Sequence, residues 1–355
     1  MGGHGLRDTT RVAGIDVAVG RFPAHTLQQA VTCADKTLRY AHYFDDALLQ
    51  QMHTNVEDIT PPQAGFGPWR NQILFVADDD DSNRHFNKAE KYSKALQAHY
   101  PAYNVEKIYL DSYVLEHEAD GLYYPGANRA INETLNRGIL FFNYNGHGGH
   151  TGLSAENVLK THDVLHWDNI DKLTVFLVAS CEFGPYDNPG HISTGEYVLL
   201  SPNGGGAAIM TTTRLASASN NGAINSAIMS VALDKQPNGK PYTLGDMVKY
   251  AKNHHNNPSG LYNFTLLGDP ALCISYAQQY VATTKVSNNY GSVSDANIVQ
   301  GRQTVHIEAQ VQTDSVSHVL SPLNGKAYVS VYGHPSTYYT LANQGSSIAK
   351  PFEVI

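Results

Sequence analysis

An α/β fold with a mostly parallel sheet, followed by an all-β module, is what this sequence predicts, and three observations predict it. From residue 11 to about 275, short apolar runs alternate with amphipathic stretches, the pattern of helices layered on a sheet. Two of these runs, ILFFNYN (139–145) and LTVFLVAS (173–180), are continuously apolar and β-branched or aromatic, as central parallel strands covered on both faces require. After about Tyr276 the helical period disappears, and short alternating runs separated by Asn, Gly, Pro and Ser take over. The boundaries expected are therefore 1–277 for the α/β domain and 278–355 for a small β-sandwich-like, Ig-like module.

Taken in order, Val12–Val19 reads as a strand, and residues 26–44 read as a helix with Thr26 as N-cap and Leu27, Ala30, Cys33 or Ala34, Leu38 and Ala41 at helical spacing. Residues 55–70, with Pro61, Pro62, Gly65, Gly67 and Pro68, form a loop. Ile73–Ala77 is a strand, Phe86–Tyr100 a helix stopped by Pro101, Val105–Leu110 a strand and Asn128–Asn136 a helix. The two apolar strands follow. Thr194–Leu200 reads as a short helix, NGGGAAIMTTTR (203–214) as a glycine turn and strand, and Asn221–Leu233 and Leu244–Lys252 as helices. The apolar run begins within a dozen residues of Met1 and the chain stops directly after FEVI, which predicts a piece of something longer.

Composition excludes several classes. Lys+Arg 24 against Asp+Glu 32 gives a net charge of −8, with no basic stripe to track phosphates, so nucleic acid is not an expected partner. No stretch reaches the ~18–20 consecutive apolar residues of a membrane span, and Met1 is followed by Gly-Gly-His-Gly, not by a charged and then apolar leader. Three cysteines, Cys33, Cys181 and Cys273, allow at most one disulfide and leave at least one free thiol. Cys33 and Cys273 read as buried packing residues.

Cys181 stands apart because it closes an apolar strand, and His147 closes the other. In open α/β sheets the ligand crevice lies at the carboxyl ends of the strands, and parallel neighbours are ~5 Å apart, so end loops can bring imidazole and sulfur together. Cysteine catalysis needs a thiolate, a base and amide donors for the oxyanion. Gly146, Gly148 and Gly149 around the histidine can bare main-chain amides, and the Cys181 N–H at the strand end is a second donor.

Here the residues carry a resemblance. An apolar strand ending in His-Gly, followed 34 residues later by Cys181 after another, resembles the caspase-like cysteine peptidases, and NYNGHGG most resembles their gingipain branch. IDVAVGRFP and LLGDPAL (266–272) are similar to further gingipain segments, so the likeness covers roughly residues 11–275. It implies a caspase-like α/β/α sandwich. It also implies that Cys181 attacks a scissile carbonyl, that His147 protonates the departing amine, and that the Gly148 and Cys181 amides hold the oxyanion. Gingipains use a carboxylate on an earlier strand end to orient the histidine; the match falls at Asp78 or Asp79, and Asp78 is the candidate.

Within the branch, CEFGPYDNPGHISTGEY and GHGGHTGL are more similar to the sortases of the type IX secretion system than to secreted gingipains. That likeness implies an outer-membrane-associated enzyme at the cell surface. It would remove the C-terminal signal domain of cargo proteins, pass the acyl group to an amine on anionic lipopolysaccharide, and work with outer-membrane partners of the secretion complex. The alternatives are a secreted gingipain-like endopeptidase and a non-catalytic scaffold module. No acid can be assigned to an S1 pocket, so small or polar residues are expected before the cleavage point.

No cofactor is required by this chemistry. The histidines His147, His150, His162 and His166 lack H-E-x-x-H or paired-cysteine spacing and are not read as a zinc site. Asp79, Asp81, Asn83 and Glu90 fit part of a calcium-loop template, but Arg84 occupies its glycine position, so only an irregular structural calcium site stays open. Tyr123, Tyr124, Tyr338, Tyr339 and Trp69 are expected to pack at core edges.

Overall fold

The computed structural model describes residues 14–42, 67–119, 121–254, 263–276, 280–288, 291–292, 302, 304–312, 331–343 and 348–354. The apolar runs become six strands of one sheet: β1 (Gln72–Ala77), β2 (Asn104–Tyr109), β3 (Phe141–Asn145), β4 (Thr174–Ala179), β5 (Gly206–Thr212) and β6 (Phe264–Leu267). Their order is β6-β5-β4-β3-β1-β2. The first five in sequence run parallel, and β6 closes the edge antiparallel to β5. Every residue of β3, β4 and β5 is buried, which explains why their sequences do not alternate.

Parallel neighbours need crossovers, and amphipathic helices supply them. The helices are α1 (Leu27–His42), α2 (Arg84–His99), α3 (Pro125–Arg137), α4 (Thr161–Leu165), α5 (Thr194–Leu200), α6 (Ala218–Met229) and α7 (Leu244–Asn253). Cys33 of α1, Ile131 and Leu135 of α3 and Val198 of α5 share one core with Leu74, Val76, Phe142, Tyr144 and Phe176 of the sheet. On the other face, Asn143 of β3 bonds to Asn225 of α6, and Tyr92 of α2 donates to the Gly222 carbonyl of α6. The sheet is thus covered on both sides, as the caspase-like expectation requires. The Lys36 ammonium of α1 lies 2.8–3.3 Å from four carbonyl oxygens at the end of α5 and just beyond it, satisfying groups that a helix C-terminus leaves unpaired.

Four expectations need correction. The strand read over Val12–Val19 does not form in its described part: residues 14–20 join no strand, Val17 and Val19 are exposed, and only Arg21 bridges to Leu267 at the β6 edge. Among the described residues, no strand lies alongside to pair with this alternation. Cys273 is half-buried, not buried, although Cys33 lies in the core; all three cysteines are free. The third correction concerns the C-terminal segment, expected to belong wholly to the β module.

The chain divides into two compact units, Met1–Ser275 with Tyr332–Ile355, and Tyr276–Val331. The described residues of the second form a three-stranded antiparallel sheet built on Tyr280–Asn288 and Val305–Gln312. The described residues of Tyr332–Ile355, by contrast, belong to the α/β unit. Phe352, on the hairpin of Ser336–Tyr339 with Pro351–Val354, is buried with its ring edge-on to Phe86 and Tyr109. The buried Asp111 carboxylate accepts the amides of Ala342 and Asn343 at 3.1 and 2.7 Å. Trp69 and Tyr124 are buried, as expected of core-edge aromatics, whereas Tyr338 and Tyr339 are exposed.

Candidate active site

The parallel register explains why His147 and Cys181 meet at one crevice. Asn145 of β3 is paired with Ala179 of β4, both at their strand ends, and His147 and Cys181 each follow two residues later. Both line a crevice shared with Asn145, Ala216, Asn221 and His85.

The histidine loop is clamped through its main chain. Asp78 Oδ2 accepts the His147 N–H at 2.7 Å, while the His147 carbonyl accepts the Tyr144 hydroxyl at 2.8 Å and the Ser154 N–H at 3.0 Å. Gly146 is required by close approach: a Cβ there would lie 2.4 Å from Tyr144 Oη and 2.5 Å from Asp78 Cβ. Asp78, the expected orienting acid, is buried beneath the loop and bonds the amide of His147, so it positions the histidine's main chain; one of its carboxylate oxygens also lies within 4.8 Å of a ring nitrogen of His147.

The imidazole faces other groups. Asp81 Oδ2 lies 3.7 Å from His147 Nε2 and 3.4 Å from His85 Nε2, and the two rings are edge-to-face with centroids 5.2 Å apart. Asp81, Ser82 and Asn83 have φ of 60°, 54° and 64°, a left-handed turn that carries the chain from β1 into α2. Neither Asp81 nor His85 was expected at the site. The available signal was the i, i+4 pair Asp81–His85 at the start of a helix that follows a strand end. Burial pushes the His85 imidazole down to about 4.

On the cysteine side, the Sγ–H donates to the Ala216 carbonyl at 3.2 Å. The Ser180 carbonyl is held by the Thr212 hydroxyl at 2.7 Å and the Asn221 amide at 2.9 Å. Because a trans peptide points its N–H opposite to its C=O, that grip turns the Cys181 N–H away from the core. No acceptor for it is found among the described residues. Gly148 also has a free edge: the Ser154 N–H bonds the His147 carbonyl, so in the antiparallel pairing of Gly148 with Leu153 the Gly148 N–H points away from its partner strand. A Cβ on Gly148 would sit 3.0 Å from Ser180 Oγ, which places this glycine beside the cysteine strand. Two amides are therefore available near one thiol.

Beneath the loop, Asp78, Asp79 and Glu156 bring three buried carboxyls together. All three are pushed upward, Asp78 most strongly, chiefly by burial and additionally by their negative neighbours. Tyr124 donates to Asp79 at 2.6 Å and in turn receives the Asn343 amide at 3.2 Å, so the C-terminal segment reaches this cluster. The residues of the calcium-loop template diverge. Asp79 bonds Tyr124, the Asn83 side chain accepts the Ile348 amide, and Glu90 pairs with Lys107. His150 packs against His191, and His162 against His166, away from His147.

A thiol and an imidazole on adjacent parallel strand ends, under a sheet covered on both faces, define a cysteine-peptidase class of α/β protein. The chain belongs to peptidase family C25, whose family model matches residues 5–275. It resembles the crystal structure of the Arg-specific cysteine proteinase gingipain R, with a TM-score of 0.56 at 16% identity over 95% of this chain and 74% of that one. A complex of Porphyromonas gingivalis RgpB pro- and mature domains aligns with a TM-score of 0.57 at 17% identity, covering 83% and 74% of the two chains. No curated protein matches this chain.

Proposed function

We propose that this chain is a cysteine endopeptidase with transpeptidase activity, the sortase-like signal peptidase of a type IX secretion system. On this reading it acts at the cell surface in association with the outer membrane. It removes C-terminal signal domains from cargo and joins the cargo to an amine of anionic lipopolysaccharide, in company with outer-membrane partners of the secretion complex. The observation that carries the reading is the shared crevice of His147 and Cys181 with an unpaired Cys181 amide.

The Cys181 thiolate attacks the scissile carbonyl, and the oxyanion is received by the Cys181 and Gly148 amides. The C–N bond breaks as His147 delivers a proton to the departing amine, leaving a thioester on Sγ. An incoming amine then attacks the thioester, His147 takes its proton, and the C–S bond breaks to restore the thiolate. Asp78 and Tyr144 hold the histidine loop in place throughout. The crevice lining offers Lys88 and no carboxylate, and Asp187 on the segment after Cys181 is paired with Arg214, so small or polar residues before the cleavage point suit it better than arginine. No cofactor is required, and a structural calcium would find fitting oxygen donors in Asp78, Asp79 and Glu156.

The deciding experiment incubates the chain with a cargo-tail peptide and an amine acceptor and reads the products by mass spectrometry. An amide product is expected, and acid product alone would reduce the reading to a gingipain-like hydrolase. Cys181→Ala must abolish both products in a folded chain; full activity in that variant overturns the assignment.

A further inference from the structure

We propose that Asp81, His85 and His147 form a binding site for a transition-metal ion of the zinc type, and that its occupation switches the peptidase off. The inhibitory consequence rests on the role proposed above for His147; the binding itself does not. Three candidate ligand atoms from these residues lie within 4.8 Å of one another. Asp81 Oδ2 is 3.4 Å from His85 Nε2 and 3.7 Å from His147 Nε2. With metal bonds of about 2.0–2.2 Å, the edge of a tetrahedral site is about 3.3–3.6 Å, so both carboxylate-to-imidazole distances are already close to coordinating geometry. Only the gap between the imidazoles has to close, and His147, whose side chain is half-exposed, is free to turn towards it.

His85 supplies the second observation. It is 5% exposed, yet its Nε2 makes no hydrogen bond and is aimed at the oxygen shared with His147. Its one charged neighbour, the Asp81 carboxylate at 3.4 Å, makes an ion-pair contact but no hydrogen bond, and a buried polar atom left so calls for an occupant. Two imidazoles and one carboxylate are the donors of zinc and its neighbours, not of calcium, which takes oxygen alone. The frame is fixed: Asp81 stands in the left-handed turn after β1, and His85 follows in the first turn of α2. His85 and His147 both line the crevice, so water can fill the remaining coordination positions. A metal seated there takes the Nε2 of His147 in place of a proton. The ring can then neither protonate a leaving amine nor accept a proton from an incoming one.

The test uses the full chain carrying Cys181→Ala, so that thiolate binding cannot contribute, titrated with Co2+ and followed by visible absorption. One ion per chain, displaced by Zn2+, is expected. Adding Asp81→Asn or His85→Gln should weaken binding about tenfold or more. Thermal melting provides an independent reading: Zn2+ should raise the Tm of the Cys181→Ala chain more than that of the Asp81→Asn double variant, whose own melting transition shows that it folds. Absence of a Co2+ band, a band of equal strength in both double variants, or wild-type peptide cleavage untouched by Zn2+ overturns the proposal. A chain with no peptidase activity but an intact band strikes the proposed function and leaves the metal site standing.

Discussion

Asp78 holds His147 by the main chain: its Oδ2 accepts the histidine N–H at 2.7 Å from beneath the loop, while the ring itself faces Asp81. An asparagine can accept the same bond, so Asp78→Asn should retain most activity. Asp78→Ala leaves the amide unpaired, a cost of about 1–3 kcal/mol, and should lower kcat by roughly ten- to a hundredfold. Steady-state kinetics on the two variants checks this, and equal losses in both would return Asp78 to a charge-based role.

Gly146→Ala tests the same clamp from above. The added methyl would lie 2.4 Å from Tyr144 Oη and 2.5 Å from Asp78 Cβ, with no room to give, so the loop must move. A loss of about 1–3 kcal/mol in unfolding free energy, with a larger fractional fall in kcat than in KM, is expected from denaturant titration and kinetics.

Asn221→Ala removes one of the two donors that grip the Ser180 carbonyl. The peptide carrying the Cys181 amide then loses its fixed direction, so kcat should fall roughly ten- to a hundredfold, while the thiol remains reactive towards a small alkylating reagent. Loss of alkylation together with turnover would mean that the whole strand end had unfolded.

The buried carboxyls give a pH signature. Asp78, Asp79 and Glu156 are pushed upward by burial, so the folded chain keeps protons that the unfolded chain releases. Their contribution to stability is whole below the ordinary carboxylate range near about 4 and is lost as pH rises through the raised values. Glu156→Gln removes one of the three charges. Its Tm should exceed the wild-type value by a margin that widens from pH 4 to pH 8, and a constant margin in scanning calorimetry would contradict this account.

Asp111→Ala should free the C-terminal segment, since that carboxylate receives the amides of Ala342 and Asn343. Protection of residues 340–343 in hydrogen exchange is expected to fall, and the melting temperature with it. Unchanged protection would mean that Phe352 and the Asn343 and Ile348 contacts anchor the segment without Asp111.

The sequence by itself determined the order of strands and helices, because burial on both faces writes continuous apolar runs, as in β3 and β4, and a period of 3.6 writes α1 and α7. It also singled out His147 and Cys181, because a polar residue at the end of such a run must sit at the rim of the sheet. Only the tertiary structure decided which atoms meet there. Asp78 and Asp81 are three residues apart in one acidic run, yet the left-handed turn at Asp81–Asn83 sends the first under the loop and the second towards the imidazole. His85 falls just before the helix read over Phe86–Tyr100, and only the longer α2, which begins at Arg84, lays it against His147. The return of residues 332–355 to the α/β unit was equally invisible, since a short alternating strand has the same pattern whichever surface it packs on. Local periodicity fixes which face of an element is buried; long-range packing fixes against what.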